Sequence, residues 1–254
     1  MRQVSPVVQL DNATTSLALS LSALPPRRRS WRLGRSIQPM NPMYPMPMPA
    51  AAPMEAAPSA PVAVVGPHFC APYVVPLTVT KKSISLTDGD FTVTDANDAV
   101  VLMVKGTLFS IRHRRVLLDA AGQPLLSMHE KVFSMHHRWE VFRGDSTNAS
   151  DMLFSVKKSS MIQLMKTELD VFLAGNTAEQ VCDFKIKGSY FDRACAFYLG
   201  NSNTMIAQMN RKHTASSVLL GRDIFGITVF PQVDYVFIAA LVVILDDIHR
   251  DKND

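Results

Sequence analysis

His136 and His137 stand side by side and are the first side chains that could hold a metal. No further ligand lies at a compatible spacing. On a strand, adjacent residues point to opposite faces, so the pair does not easily reach one ion and reads as structural or exposed. Cys70 has His68 two residues away, an arrangement a thiol nucleophile could use. No third, orienting group is placed beside them, and Gly66, Pro67 and Pro72 read instead as residues that shape a chain entry. Asp88, Asp90, Asp95, Asn97 and Asp98 offer enough oxygen for calcium. Their spacing departs from the helix–loop–helix calcium pattern, and hairpin turns call for the same residue types. The cationic clusters are the stronger signal: Lys81 and Lys82, Arg112 with Arg114 and Arg115, Lys157 and Lys158, and Arg211 and Lys212. A lipid headgroup phosphate needs two or three cationic donors converging on one spot. These residues form an anionic-lipid site if folding gathers them on one face or rim; solvated strand ends are the plainer reading. No glycine-rich phosphate loop, metalloprotease helix or G-x-S-x-G elbow occurs. No catalytic residue, metal ligand or cofactor is assigned, and the expectation is a protein that is not an enzyme.

The chain that must position these residues has 254 of them, 47% hydrophobic and 19% charged, which excludes disorder throughout, collagen and a long coiled coil. Its three cysteines are too few and too scattered for a disulfide framework and point to a reducing compartment. Charge and proline divide it at one place. Residues 1–60 carry six Arg against Asp11 and Glu55, while residues 61–254 carry 20 basic and 20 acidic side chains. The basic balance therefore belongs to the N-terminal part, and no nucleic acid partner is expected. Ten of the 16 prolines lie in residues 1–60, and only Pro124 and Pro231 follow Pro76. Residues 1–60 are expected to be a disordered tail, Ser/Arg-rich and then Pro/Met-rich. Its first part is acid-poor, as in an organelle transit peptide; the alternative is an optional extension, with Met40 as a second start.

From Thr78 onward short runs of strand-forming residues alternate with turn residues. VCDFKIKG sends Cys182, Phe184 and Ile186 one way and Asp183, Lys185 and Lys187 the other, the period of a half-buried strand. Turns are expected at Asp88-Gly89, Asn97-Asp98, Ala121 to Gln123, Gly175-Asn176 and 201–204. Cys182 and Cys195 alternate with apolar neighbours, as small buried hydrophobes do. Strands so regularly spaced imply one sandwich or barrel over residues 61–254. The last segment breaks the pattern. Tyr235 to Leu245 is apolar without interruption, too short for a membrane span of about 20 residues. As a helix starting after Pro231 and Asp234 it is apolar all round, and must be buried on every side. A closed antiparallel β-barrel around a C-terminal hydrophobic helix satisfies both segments.

This combination resembles the plant LURP-one-related (LOR) family. The residues that carry it are VVGPHFCAPY at 64–73, LTDGDFTVTDAN at 86–97, RRVLLDAAGQP at 114–124, EKVFSMHHRWEVFRGDS at 130–146, VKKSSMIQL at 156–164, LDVFL at 169–173, QMNRKHT at 208–214 and DYVFIAALVVILDDIHR at 234–250. The resemblance implies the tubby-like architecture, a mainly β barrel threaded by a hydrophobic helix. That fold group also holds phosphoinositide-binding tubby proteins and phospholipid scramblases. It implies no enzyme activity, and it implies a place in plant defence. Fold kinship alone does not carry function. Two expectations follow: a module that binds acidic phospholipid or phosphoinositide, or a protein-interaction scaffold without a lipid. Cytoplasm or nucleus fits the cysteines, with peripheral attachment to a membrane; a plastid would follow only if residues 1–39 are a transit peptide.

Overall fold

The computed structural model describes residues 58, 60–81, 91–106, 114–131, 138–159, 167–189, 194–211 and 224–250, without the side chains of Arg211, His249 and Arg250. The expected tail up to residue 57, the Asp88-Gly89 turn with Asp90, the His136–His137 pair, and Lys82, Arg112 and Lys212 lie outside the described residues.

Twelve strands form the wall: β1 (Val75–Lys81), β2 (Phe91–Thr94), β3 (Val100–Gly106), β4 (Arg115–Asp119), β5 (Pro124–Lys131), β6 (Arg138–Arg143), β7 (Met152–Lys158), β8 (Thr167–Leu173), β9 (Phe184–Ser189), β10 (Ala194–Leu199), β11 (Met205–Arg211) and β12 (Ile224–Val229). Each pairs antiparallel with its neighbours in sequence, and β1 closes the barrel against β12, with Val75 opposite Val229 and Thr80 opposite Ile224. Helix α1 (Tyr235–Arg250) follows β12. A barrel of about eight strands is filled by its own side chains, whereas a wider one leaves a bore. Here an α-helix, about 10–12 Å across with its side chains, fills it. Val236 to Leu245 are all buried to 1% exposure or less, together with inward residues such as Leu117, Trp139, Phe154, Leu169 and Phe225. Over Val236 to Leu245 the helix has no polar face because no part of its circumference there meets water. Among the described residues no helix is long and apolar enough to cross a membrane.

Local rules explain most of the wall. Asp95 Oδ1 accepts the N–H groups of Asn97 and Ala99 at 2.8 and 2.9 Å, and Asp119 Oδ1 accepts those of Ala121 and Gln123 at 2.9 and 2.8 Å. Asp95 and Asn97 therefore serve turn chemistry, and Gly122 takes a φ of +83°, which a side chain would resist. Two expectations change. The first strand begins at Val75, before the expected Thr78, and takes in Pro76, which sits exposed near the strand's start, where a residue without an N–H is tolerated. Cys182 is buried as expected, and the alternation of burial runs from it through Phe184 and Ile186, but it lies just before β9 and outside the central core. Cys195 does face the core.

The two ends of α1 are fixed by charge. At the first, Asp234 is fully buried. Its Oδ1 accepts the N–H groups of Val236 and Phe237 at 3.1 and 3.0 Å, as an N-cap does. Its Oδ2 accepts those of Val64, Val65 and Gly66 at 3.2, 2.7 and 3.1 Å. One carboxylate thus caps the helix and pins the chain entry, which makes a 3₁₀ turn at Pro67–Phe69. A Cβ on Gly66 would stand 2.7 Å from the His68 ring, so a larger residue there would make the exposed His68 side chain move aside. At the other end, Asp246 and Asp247 lie where the helix dipole disfavours negative charge, and both are buried. Their cations come from the wall, Lys81 at the end of β1 and Arg115 at the start of β4.

Candidate functional site

Antiparallel order sends the odd-numbered strands toward the mouth where α1 finishes, and the even-numbered strands start there. Lys81, Arg115, Lys157, Lys158 and Arg211 all stand at strand ends on that rim, and Arg114 immediately precedes β4 there. Sequence clusters far apart in the chain are gathered at one end of the barrel.

Two of these charges are matched by acids of the helix at the mouth itself. Lys81 Nζ lies 2.8 Å from Asp246 Oδ2. Arg115 holds Asp247 through two hydrogen bonds, Nε to Oδ2 at 3.1 Å and Nη2 to Oδ1 at 2.9 Å, with both side chains 5% exposed. These two cations secure the helix from within the mouth. Arg114 runs along the outer face and donates to the carboxylate of Asp145 and, at 3.2 Å, to its backbone oxygen. Lys157 differs in lining an open groove on the outer face, of about 410 Å³, shared with Lys158, Ser159, Asp170, Phe172, Glu179, Cys182 and Lys185.

Three strands build the groove floor. Lys157 on β7 is in register with Asp170 on β8, and Asp170 with Lys185 on β9. Lys185 Nζ lies 3.0 Å from Glu168 Oε1 and 3.1 Å from Asp170 Oδ1. Burial works against its charge, but the two carboxylates outweigh it and hold the Lys185 ammonium above its ordinary range. Lys157 Nζ lies 4.4 Å from the Phe172 ring centre, a cation–π contact that helps fix the ammonium. The Ser159 hydroxyl, on the lining of the same groove, is buried with no hydrogen-bond partner among the described residues.

The loop between β8 and β9 closes one side of the groove and delivers Glu179. Its carboxylate receives Arg138 from the start of β6 and Lys157 Nζ at 2.8 Å. Burial raises the Glu179 carboxyl, but hydrogen bonds and charge from Arg138 and Lys157 prevail and hold it below the usual carboxylate range. Two cations from different strands thus converge on one anionic group, the geometry a phosphate requires. Arg138, Lys185 and Glu179 were not singled out in the sequence. The signal for Lys185 was its outward place in the VCDFKIKG alternation; nothing local connects Arg138 to Glu179, 41 residues later.

Cys70 does not have the surroundings of a nucleophile. Burial and, next, the charge of Asp234 push its thiol up, the direction that suppresses thiolate. The His68 ring packs on Phe69, 3.8 Å between centres.

Comparison with known proteins agrees with this architecture. The LURP-one-related profile matches residues 75–246. The chain is 52% identical over 190 residues to Protein LURP-one-related 15 of Arabidopsis thaliana, covering 75% of this chain and 87% of that protein. It is 50% identical over 193 residues to Protein LURP-one-related 10 of the same plant, covering 76% of this chain and 100% of the other. An X-ray structure of an Arabidopsis thaliana protein superposes with a TM-score of 0.59 at 41% identity, covering 74% of this chain and 98% of that one. With the profile spanning most of the barrel and relatives at half identity, the chain belongs to the LURP-one-related family.

Proposed function

We propose that this protein is a non-catalytic binding module for acidic phospholipid, docking peripherally on a membrane by taking a headgroup phosphate in the groove beside Lys157. The observation that supports the reading is the convergence of Arg138 and Lys157 on a single anionic group. Lys158 and Lys185 line the same groove. Four cations there meet three carboxylates, Glu168, Asp170 and Glu179. A phosphate entering this groove gains charge-assisted hydrogen bonds in a partly desolvated setting, where they are strongest. Lys81, Arg114 and Arg115, engaged by acids of the fold, serve to hold the rim's shape in this reading. The family resemblance supplies the setting, a membrane-associated regulator in plant defence.

Co-sedimentation with phosphatidylcholine liposomes, with and without phosphoinositide, at two salt concentrations, tests the reading. Binding that requires the phosphoinositide and weakens with salt is expected, with at least a tenfold loss in the Lys157→Glu, Lys158→Glu double variant. Absence of binding at low salt would sink it. A second reading, a protein-interaction scaffold, is favoured by Tyr73 and Val74, adjacent apolar residues that are 66% and 41% exposed. Tyr73→Ser would then abolish partner capture without touching liposome binding.

A further inference from the structure

We propose that Glu179 is a built-in competitor that occupies the phosphate position of the groove and makes the site selective for phosphomonoester headgroups over phosphodiesters. The inference rests on the lipid-binding reading and adds to it which lipids are admitted. Four observations carry it. The carboxylate of Glu179 sits where Arg138 and Lys157 converge, so a ligand anion cannot take the Arg138 Nη2 and Lys157 hydrogen bonds that converge there until Glu179 leaves. Glu179 takes a φ of +48°, a left-handed conformation that a side chain disfavours, so a rearrangement of its loop that withdraws the carboxylate also relieves its backbone. Its loop is anchored by backbone bonds at Ala174, Asn176 and Asp183, but between them Glu179 is held through a side chain: Asn176 Oδ1 accepts the Glu179 N–H at 3.1 Å, and Asn176 Nδ2 donates to the Val181 oxygen at 2.8 Å. The buried Ser159 hydroxyl, which no group among the described residues engages, supplies a further donor for an incoming oxygen.

The selectivity follows from charge. The ion pair that Glu179 makes must be exchanged for one with the ligand. A phosphodiester brings one negative charge, the same as the carboxylate it displaces, and gains little by the exchange. A phosphomonoester carries about −1.5 to −2 at neutral pH and has three acceptor oxygens. It engages Arg138 and Lys157 together and has an oxygen left for Ser159. With Glu179 in place the groove therefore rejects phosphatidylserine and admits a headgroup with a terminal phosphate.

The test uses the full chain and vesicles of matched charge, phosphatidylcholine with phosphatidylserine or with phosphatidylinositol 4-phosphate. Wild type is expected to bind the monoester vesicles at least tenfold more tightly. Glu179→Gln keeps the shape and removes the competing charge. It is expected to bind phosphatidylserine vesicles about tenfold more tightly than wild type does, about 1.4 kcal/mol, narrowing the preference. Asp98→Asn removes an equal charge from the exposed turn between β2 and β3, five strands round the barrel from β7, at a positive φ that Asn tolerates, and should leave the preference unchanged. A preference that is the same in wild type and Glu179→Gln overturns the inference, while binding lost in Lys157→Gln still supports the lipid reading. Failure of both wild type and Glu179→Gln to bind any vesicle or soluble inositol trisphosphate overturns both. Binding of soluble inositol trisphosphate with no vesicle binding would keep the competitor and remove the membrane as its source of phosphate. Thermal unfolding of each variant establishes that it is folded.

Discussion

Arg115 provides the sharpest test of how the helix is retained. Its guanidinium meets Asp247 through two hydrogen bonds at 2.9 and 3.1 Å, and both side chains are 5% exposed. Arg115→Met keeps length and apolar stem and removes the charge. The carboxylate then stays in a water-poor mouth beside the negative end of a helix, which adds to the cost. Breaking a buried pair on one side costs about 3–5 kcal/mol. For a domain of this size, 1 kcal/mol moves the melting temperature by roughly 2–4 °C, so a fall of about 10 °C is expected. Urea denaturation should show a lower midpoint at an unchanged slope, since the surface exposed on unfolding is the same. The double variant Arg115→Met, Asp247→Leu should recover part of the loss, because two apolar side chains replace the pair without leaving one of its charges facing the other's vacated place. A cost for Arg115→Met below about 1 kcal/mol, the scale of a solvated surface pair, would refute the reasoning. So would a double variant no better than the single one.

Asp234 should be as critical at the other end. Asp234→Ala removes an N-cap worth about 1 kcal/mol and the acceptor of three entry-segment N–H groups, whose burial without partners costs about 1–3 kcal/mol each. The total loss should exceed about 3 kcal/mol in urea denaturation, with faster amide exchange at Val64, Val65 and Gly66. Cys195, buried in the core, has its thiol pushed up to about 12 from 9.0 by burial. The folded chain keeps a proton that the unfolded chain loses above pH 9, so this group's contribution is complete below pH 9 and declines as pH rises toward 12. The decline should reach about 1.4 kcal/mol per pH unit. Measured as the difference between wild type and Cys195→Ala, the extra slope should be absent from the variant.

The fold was legible because its rules are local. Strand runs, Asx turns at Asp95 and Asp119, and an apolar segment too short to span a bilayer each state their own structure, and together they require a barrel with a helix inside. What escaped was decided by register and by neighbours across the wall. Pro76 joins β1 because its strand partner reaches beyond Ile227 to Thr228, which no window around Pro76 contains. The cationic clusters were visible, but not that Lys81 and Arg115 turn to the helix acids while Lys157 stays in an open groove. Arg138 stood unnoticed beside the histidine pair, since its partner Glu179 arrives from a loop two strands away. Lone pairs of like charge are easy to see in a sequence; the opposite charges that answer them are placed by topology.

The closure of β1 on β12 also sets the order of events in biosynthesis. The two strands are joined by some 150 residues of intervening chain, as Val75 meets Val229, and the segment that fills the bore is made after every strand. Pairings so distant in sequence are slow to form, because the chain entropy must be surrendered before the contacts repay it. A ribosome that has finished β12 has produced a wall with nothing to close around. Its inward apolar faces, Trp139 and Phe154 among them, remain adhesive until α1 emerges. Folding of the barrel is therefore a single late event, and the nascent chain needs shelter from aggregation until then.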